Sequence, residues 1–217
     1  FRRGIDLETE RTPFSGGSGT LPEGLMGSRT ALATGIVCAA LGLVAGLWFL
    51  VELGSVMVPI LVLGAFAVVT YTDLLARWGV GELFAGLGLG ALPVVGTALV
   101  QEGWIPATAF VAAVPAFCMT FNLLFLNEFP DEAADRAGGR KNLVLLLGRR
   151  AAARVYVVIG VVVPATILGG VATGLLPWTC LAAALPSLLL VKPFEWALRR
   201  PEEPVPLAAL GANVVWN

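Results

Sequence analysis

Residues 105–127 read IPATAFVAAVPAFCMTFNLLFLN, and residues 128–142 continue EFPDEAADRAGGRKN. None of the first 23 residues is charged, whereas the next 15 hold Glu128, Asp131, Glu132, Asp135, Arg136, Arg140 and Lys141. An α-helix needs about 20 mostly apolar residues to cross the hydrocarbon core of a bilayer. This stretch therefore reads as a membrane span that ends abruptly in a charged, water-facing loop.

The same alternation extends in both directions. Spans are expected at 30–50, 55–72, 81–100, 105–127, 154–173 and 177–197, and a seventh begins at 205. Loops are expected near 51–54, 73–80, 101–104, 128–153, 174–176 and 198–204. Composition agrees, with 57% apolar and 13% charged residues and a mean hydropathy of +0.85. Soluble domains are nearer one quarter charged. The fold class is thus an all-α, polytopic transmembrane helix bundle of six complete spans and part of a seventh. One domain covers 1–217, with water-facing segments at 1–29 and 128–153. The chain starts at Phe1 and stops inside an apolar run too short to cross, so it reads as a piece of a longer protein.

All 14 Lys and Arg residues fall at alternate boundaries: the 1–29 segment, Arg77, the 128–153 loop with Arg154, and Lys192 to Arg200. The intervening loops carry Glu52 and Glu102 but no basic residue. By the positive-inside rule the basic side is cytoplasmic. A net charge of −1 gives no sign of nucleic-acid binding. There is no His, which leaves carboxylates and hard cations for any metal chemistry. Cys38, Cys118 and Cys180 lie far apart in apolar runs and read as packing residues.

Small residues four apart, Gly42/Gly46 and Gly86/Gly90, suit close helix packing. The Gly86–Gly90 run lacks the spacing and the preceding strand of a dinucleotide loop. Phe117, Phe121 and Phe125 form a stripe that either packs the core or lines a groove for an apolar chain. Asn122, buried in a span, is either a helix–helix tie or a functional group.

Asn127, Asp131 and Asp135 recur every four residues, which places them on one face of a helix that tolerates Pro130 in its first turn. Gly138 and Gly139 should end that helix and return Arg140 and Lys141 to the same mouth. Carboxylates for Mg²⁺ beside cationic groups for phosphate oxygens make a candidate diphosphate site. A solvated loop with no specific role is the plainer alternative.

The run Asp131-x-x-x-Asp135-x-x-x-Gly139-Arg-Lys-Asn-Leu-Val-Leu-Leu-Leu-Gly148 resembles the second aspartate-rich motif of the UbiA superfamily of intramembrane prenyltransferases. With Asn127-Glu-Phe-Pro130 before it, the wording is most similar to the 1,4-dihydroxy-2-naphthoate branch of menaquinone synthesis. Phe1-Arg-Arg-Gly-Ile-Asp6 is similar to the end of the family's first motif. Tyr71-Thr72 to Arg77, followed by Gly79-Val-Gly81-Glu82, is similar to its loop from a Tyr to a basic residue, though shorter and without the prolines.

The resemblance implies a nine-helix parent and Mg²⁺-dependent transfer from a polyprenyl diphosphate to an aromatic acceptor. It implies Asp6, Asp131 and Asp135 as metal ligands, and Asp131, Asp135, Arg140 and Lys141 as catalytic groups. Substrate contacts would come from Asn127, Tyr71, Arg77 and Asn122. The protein would be integral to a prokaryotic plasma membrane, with its site on the cytoplasmic side. Alternatives are the same chemistry on 4-hydroxybenzoate, homogentisate, a porphyrin or a glycerophosphate lipid, or a cation-coupled transporter. A transporter would place its acids near the bilayer midplane and show an internal repeat; neither is visible. The D-G-x-x-A-R opening of CDP-alcohol phosphotransferases is also missing.

Overall fold

The computed structural model describes residues 19–21 and 23–217. Asp6, the Arg residues of the first segment before Arg29, and most of the expected first-motif loop lie outside them. All regular structure in the described residues is helical. Five stretches are long and apolar enough to cross a membrane: Ser28–Trp78, Gly81–Glu102, Ala107–Glu128, Arg149–Ala172 and Trp178–Arg199.

The first stretch is two arms. Helix α1 (Ser28–Leu53) ends at Gly54, whose φ of 72° is open to glycine but strained for other residues. One 3₁₀ turn (Gly54–Met57) leads into α2 (Val58–Thr70). A Cβ placed on Gly46 would run into the Leu61 side chain. In a continuous helix residues 46 and 61 would lie about 22 Å apart, so the chain doubles back between them. The returning arm does not stop at 72 as expected. It continues through a π-helical segment at Tyr71–Leu75 and a last turn, α3 (Ala76–Trp78), before Gly79 turns the chain with φ 78°. The polar Asp73 and Arg77 are carried on helix, and the loop shrinks to Gly79 and Val80.

The second stretch comprises α4 (Gly81–Ala85), a π segment (Gly86–Ala91) and α5 (Leu92–Glu102). It lies against α6 (Ala107–Glu128) because glycine lets the backbones approach. A Cβ on Gly90 would strike the Ala116 carbonyl, and one on Gly86 would come within 2.9 Å of the Phe117 carbonyl oxygen. Gly42, by contrast, has open space beside it, so only one residue of the Gly42/Gly46 pair packs closely.

Helix α6 also packs on α9 (Arg149–Ala172), which in turn meets the 3₁₀ segment Trp178–Leu190 and α10 (Val191–Arg199). The final helix, α11 (Leu207–Trp216), closes on α10 and α6. The aromatic stripe belongs to this core. Phe117, Phe121, Phe125 and Phe129 stack in sequence at 5.5–5.9 Å between ring centroids, and Phe129 meets Trp196 edge-on at 5.0 Å. Outward faces stay apolar: α1 exposes Leu32, Ile36, Leu43, Trp48 and Val51, as a lipid-facing surface requires. The protein is an integral membrane protein.

Candidate functional site

Asn127, Asp131 and Asp135, expected on one helix face, fall on two helices. Pro130 has no N–H to donate, and α6 stops at Glu128. Asp131 then stands at the N-cap of a short new helix, α7 (Glu132–Gly138). Asn127 therefore belongs to α6. Asp131 and Asp135 keep one-turn spacing, because the Asp135 N–H donates to the Asp131 carbonyl at 2.9 Å. At Gly139 the chain turns with φ 71°, and the Arg140 N–H closes on the Asp135 carbonyl at 3.0 Å.

This turn assembles the polar cluster. The Arg140 guanidinium lies 3.6 Å from the Asp135 carboxylate. Asn142 donates its amide to the other Asp135 oxygen at 2.9 Å. Its Oδ1 accepts from the Leu145 N–H at 2.9 Å and caps α8 (Leu143–Leu147). The Lys141 N–H reaches across to the Ala76 carbonyl at 3.0 Å, and the Leu143 N–H donates to Glu82 at 2.6 Å. Two backbone N–H groups thus tie the chain after α7 to the first turns of α3 and α4, one through a carbonyl and one through the Glu82 carboxylate.

Tyr71 sits in the junction, its hydroxyl beside the Gly81 backbone and within electrostatic range of Glu128, Glu82, Arg140 and Asp135. Burial raises the Asp135 carboxyl above the ordinary carboxylate range, while Arg140 and Asn142 pull it the other way. A further cation beside it would favour the ionised form.

Some sequence candidates stand apart. Asn122 is fully buried and ties helices together: its amide donates to the Tyr156 carbonyl at 3.0 Å, and Asn213 donates to the Asn122 carbonyl at 3.1 Å. The Tyr156 hydroxyl completes the triangle by donating to Asn213 at 2.8 Å. Arg77 is exposed on α3, and Lys141 is exposed beyond Gly139.

Two acids that the sequence did not single out are central. Glu82 is 1% exposed, and the Glu128 carboxyl lies beside it. Buried carboxyls in contact require a shared proton or a cation. Glu82 had a visible signal, a carboxylate opening an apolar span directly after Gly79 and Gly81.

Oxygen donors of this kind suit a hard cation such as Mg²⁺. Asn127 Oδ1 and Glu128 Oε2 are buried with no hydrogen-bond partner among the described residues, which leaves acceptor capacity at the same mouth. Among those residues, however, no three acids or thiols converge closely enough to hold an ion by themselves.

Residues 3–213 match the UbiA prenyltransferase family. The chain belongs to that family. It is also 27% identical over 188 residues to 1,4-dihydroxy-2-naphthoate octaprenyltransferase of Bacillus subtilis (strain 168), covering 82% of this chain and 57% of that protein. The chain thus spans a little over half the length of that relative. No solved structure matches it. Within this UbiA-family chain, the Asp131–Arg140 turn and the Tyr71 junction form a polar cluster next to the end of α6.

Proposed function

We propose that the full protein transfers a prenyl group from a polyprenyl diphosphate to 1,4-dihydroxy-2-naphthoate at the basic face of a prokaryotic plasma membrane. The observation that carries this reading is the Asp135 carboxylate held between Arg140 and Asn142 in a family of prenyltransferases. The naphthoate assignment draws on the B. subtilis relative and on the wording of the Asn127–Gly148 run.

The chemistry is an electrophilic substitution. The allylic C–O bond breaks with its electron pair going to the diphosphate, and an aromatic carbon of the acceptor supplies the pair that forms the new C–C bond. Rearomatisation then expels a proton, or carbon dioxide when the carbon attacked bears the carboxylate. Asp6, Asp131 and Asp135 would hold Mg²⁺, which when bound offsets negative charge on the diphosphate.

The chain's own groups do the rest. Arg140, paired with Asp135, and the exposed Lys141 beside it would offset the charge that a leaving diphosphate gains, and donors fixed in advance are most effective there. Asn142 fixes the Asp135 oxygen that faces it. Tyr71, within electrostatic range of Arg140 and Asp135, and Asn127, at the end of α6, would contact substrate there, and the exposed Arg77 on α3 would reach the diphosphate from outside the cluster. Asn122 acts at a distance, through its tie to α9 and α11. The apolar bundle below excludes water from the cation.

Membranes carrying the full-length protein, given labelled polyprenyl diphosphate and a panel of acceptors, test the assignment. Labelled product is expected with 1,4-dihydroxy-2-naphthoate. Product with 4-hydroxybenzoate, homogentisate, a porphyrin or a glycerophosphate instead would keep the chemistry and overturn the acceptor.

A further inference from the structure

Away from Asp131 and Asp135, the ends of α9 and α10 and the connection after them enclose a groove of about 340 Å³. Arg150 and Arg154, four apart on α9, line it together with Arg199 and Arg200 at the end of α10. Glu202 and Glu203 are the only acids in its lining, and Glu195 pairs with Arg199 from outside it at 3.2 Å, so three carboxylates offset four guanidinium groups.

The floor is built rather than loose. Arg149 donates to the Pro201 carbonyl at 2.9 Å and to the Glu203 carbonyl at 3.0 Å, and the Trp196 indole also donates to Glu203 at 3.2 Å. The rim pairs, Arg150–Glu202 at 2.9 Å and Arg200–Glu203 at 3.8 Å, are exposed. Such pairs exchange partners at little cost.

Arg150, Arg199 and Arg200 are paired with Glu202, Glu195 and Glu203, whereas Arg154 has no ion pair among the described residues, which leaves one positive charge in the groove for an anion. The groove also opens at the boundary of a membrane-crossing helix, with the exposed Leu198 in its lining. An apolar side chain beside a basic pocket at that depth suits a phosphate group that carries an acyl chain.

We propose that this groove binds a phosphate-bearing anion at the membrane surface, with Arg150, Arg154, Arg199 and Arg200 as its ligands. None of Asp131, Asp135 and Arg140 lines the groove, although Arg149 beneath it also pairs with Glu132 at 3.1 Å, and the proposal does not depend on prenyl transfer. A headgroup of an anionic phospholipid and a free phosphate share the required chemistry, and experiment separates them.

The full-length protein in phosphatidylcholine nanodiscs doped with spin-labelled phosphatidylglycerol gives the lipid arm. Titration of the same nanodiscs with inorganic phosphate gives the soluble arm. Selectivity for phosphatidylglycerol over phosphatidylcholine should fall about fivefold for each guanidinium removed in Arg154→Gln and Arg199→Gln, since a basic residue at this surface is worth ~1 kcal/mol. Glu202→Gln, which releases Arg150, should raise the selectivity, a gain that a folding defect cannot mimic. Arginine-dependent displacement of the lipid by millimolar phosphate assigns the site to the free anion. Selectivity unchanged in all three variants, with no effect of phosphate, overturns the proposal.

Discussion

At Asp135 a carboxylate is held on one side by Arg140 and on the other by Asn142. Replacing Asp131 or Asp135 by Asn should lower prenyl transfer at least a hundredfold, about 3 kcal/mol of transition-state stabilisation, while the protein remains in the membrane. Labelled-product assays on full-length variants check this, and near-normal turnover in either would refute the ligand assignment. Glu82 makes a different prediction. Glu82→Ala strands the Leu143 N–H and should cost ~1–3 kcal/mol of stability, whereas Glu82→Gln keeps an acceptor and should lose much less. Thermal unfolding in detergent reads the difference, and equal losses would show that the 2.6 Å contact is not what matters. The Asp131/Asp135 pair was readable because its four-residue spacing is local. The partnership of Glu82 with Leu143 was not, because it joins positions 61 residues apart and only the folded loop creates it.

Helix packing shows the same division at the next scale. The apolar runs announce most of the spans, since hydropathy over 20 residues is a local property. Their ends are less predictable. Helix α2 runs on through Tyr71–Leu75 to Trp78 despite Asp73 and Arg77, whereas α6 ends at Glu128, within a residue of the expected 127, but leaves Asn127 on a different helix from Asp135. Gly42/Gly46 and Gly86/Gly90 look alike in sequence, yet Gly90 lies against backbone and Gly42 faces open space. Gly90→Val should therefore cost ~1–3 kcal/mol through overpacking, and Gly42→Val should be close to neutral. Comparable melting temperatures for the two variants would contradict the packing of the π segment Gly86–Ala91 on α6.

For the whole molecule, every described basic residue marks one side and Glu52 and Glu102 mark the other. With Cys38, Cys118 and Cys180 removed, a membrane-impermeant maleimide should label Arg136→Cys from the cytoplasmic side and Glu102→Cys from the opposite side. Labelling of both from one side would invert the topology. The nine-helix parent and the Asp6 half of the metal site could be inferred only by resemblance, and Asp6 lies outside the described residues. The central claim is that carboxylates at the basic mouth, acting with a divalent cation, drive prenyl transfer. The most direct measurement is transfer from labelled polyprenyl diphosphate by membranes holding the full-length protein, before chelation, after chelation, and after Mg²⁺ or Mn²⁺ is restored. Product should vanish with EDTA and return with either ion, with no special response to Zn²⁺, since hard oxygen donors and no His serve the site. Undiminished transfer after exhaustive chelation would contradict it.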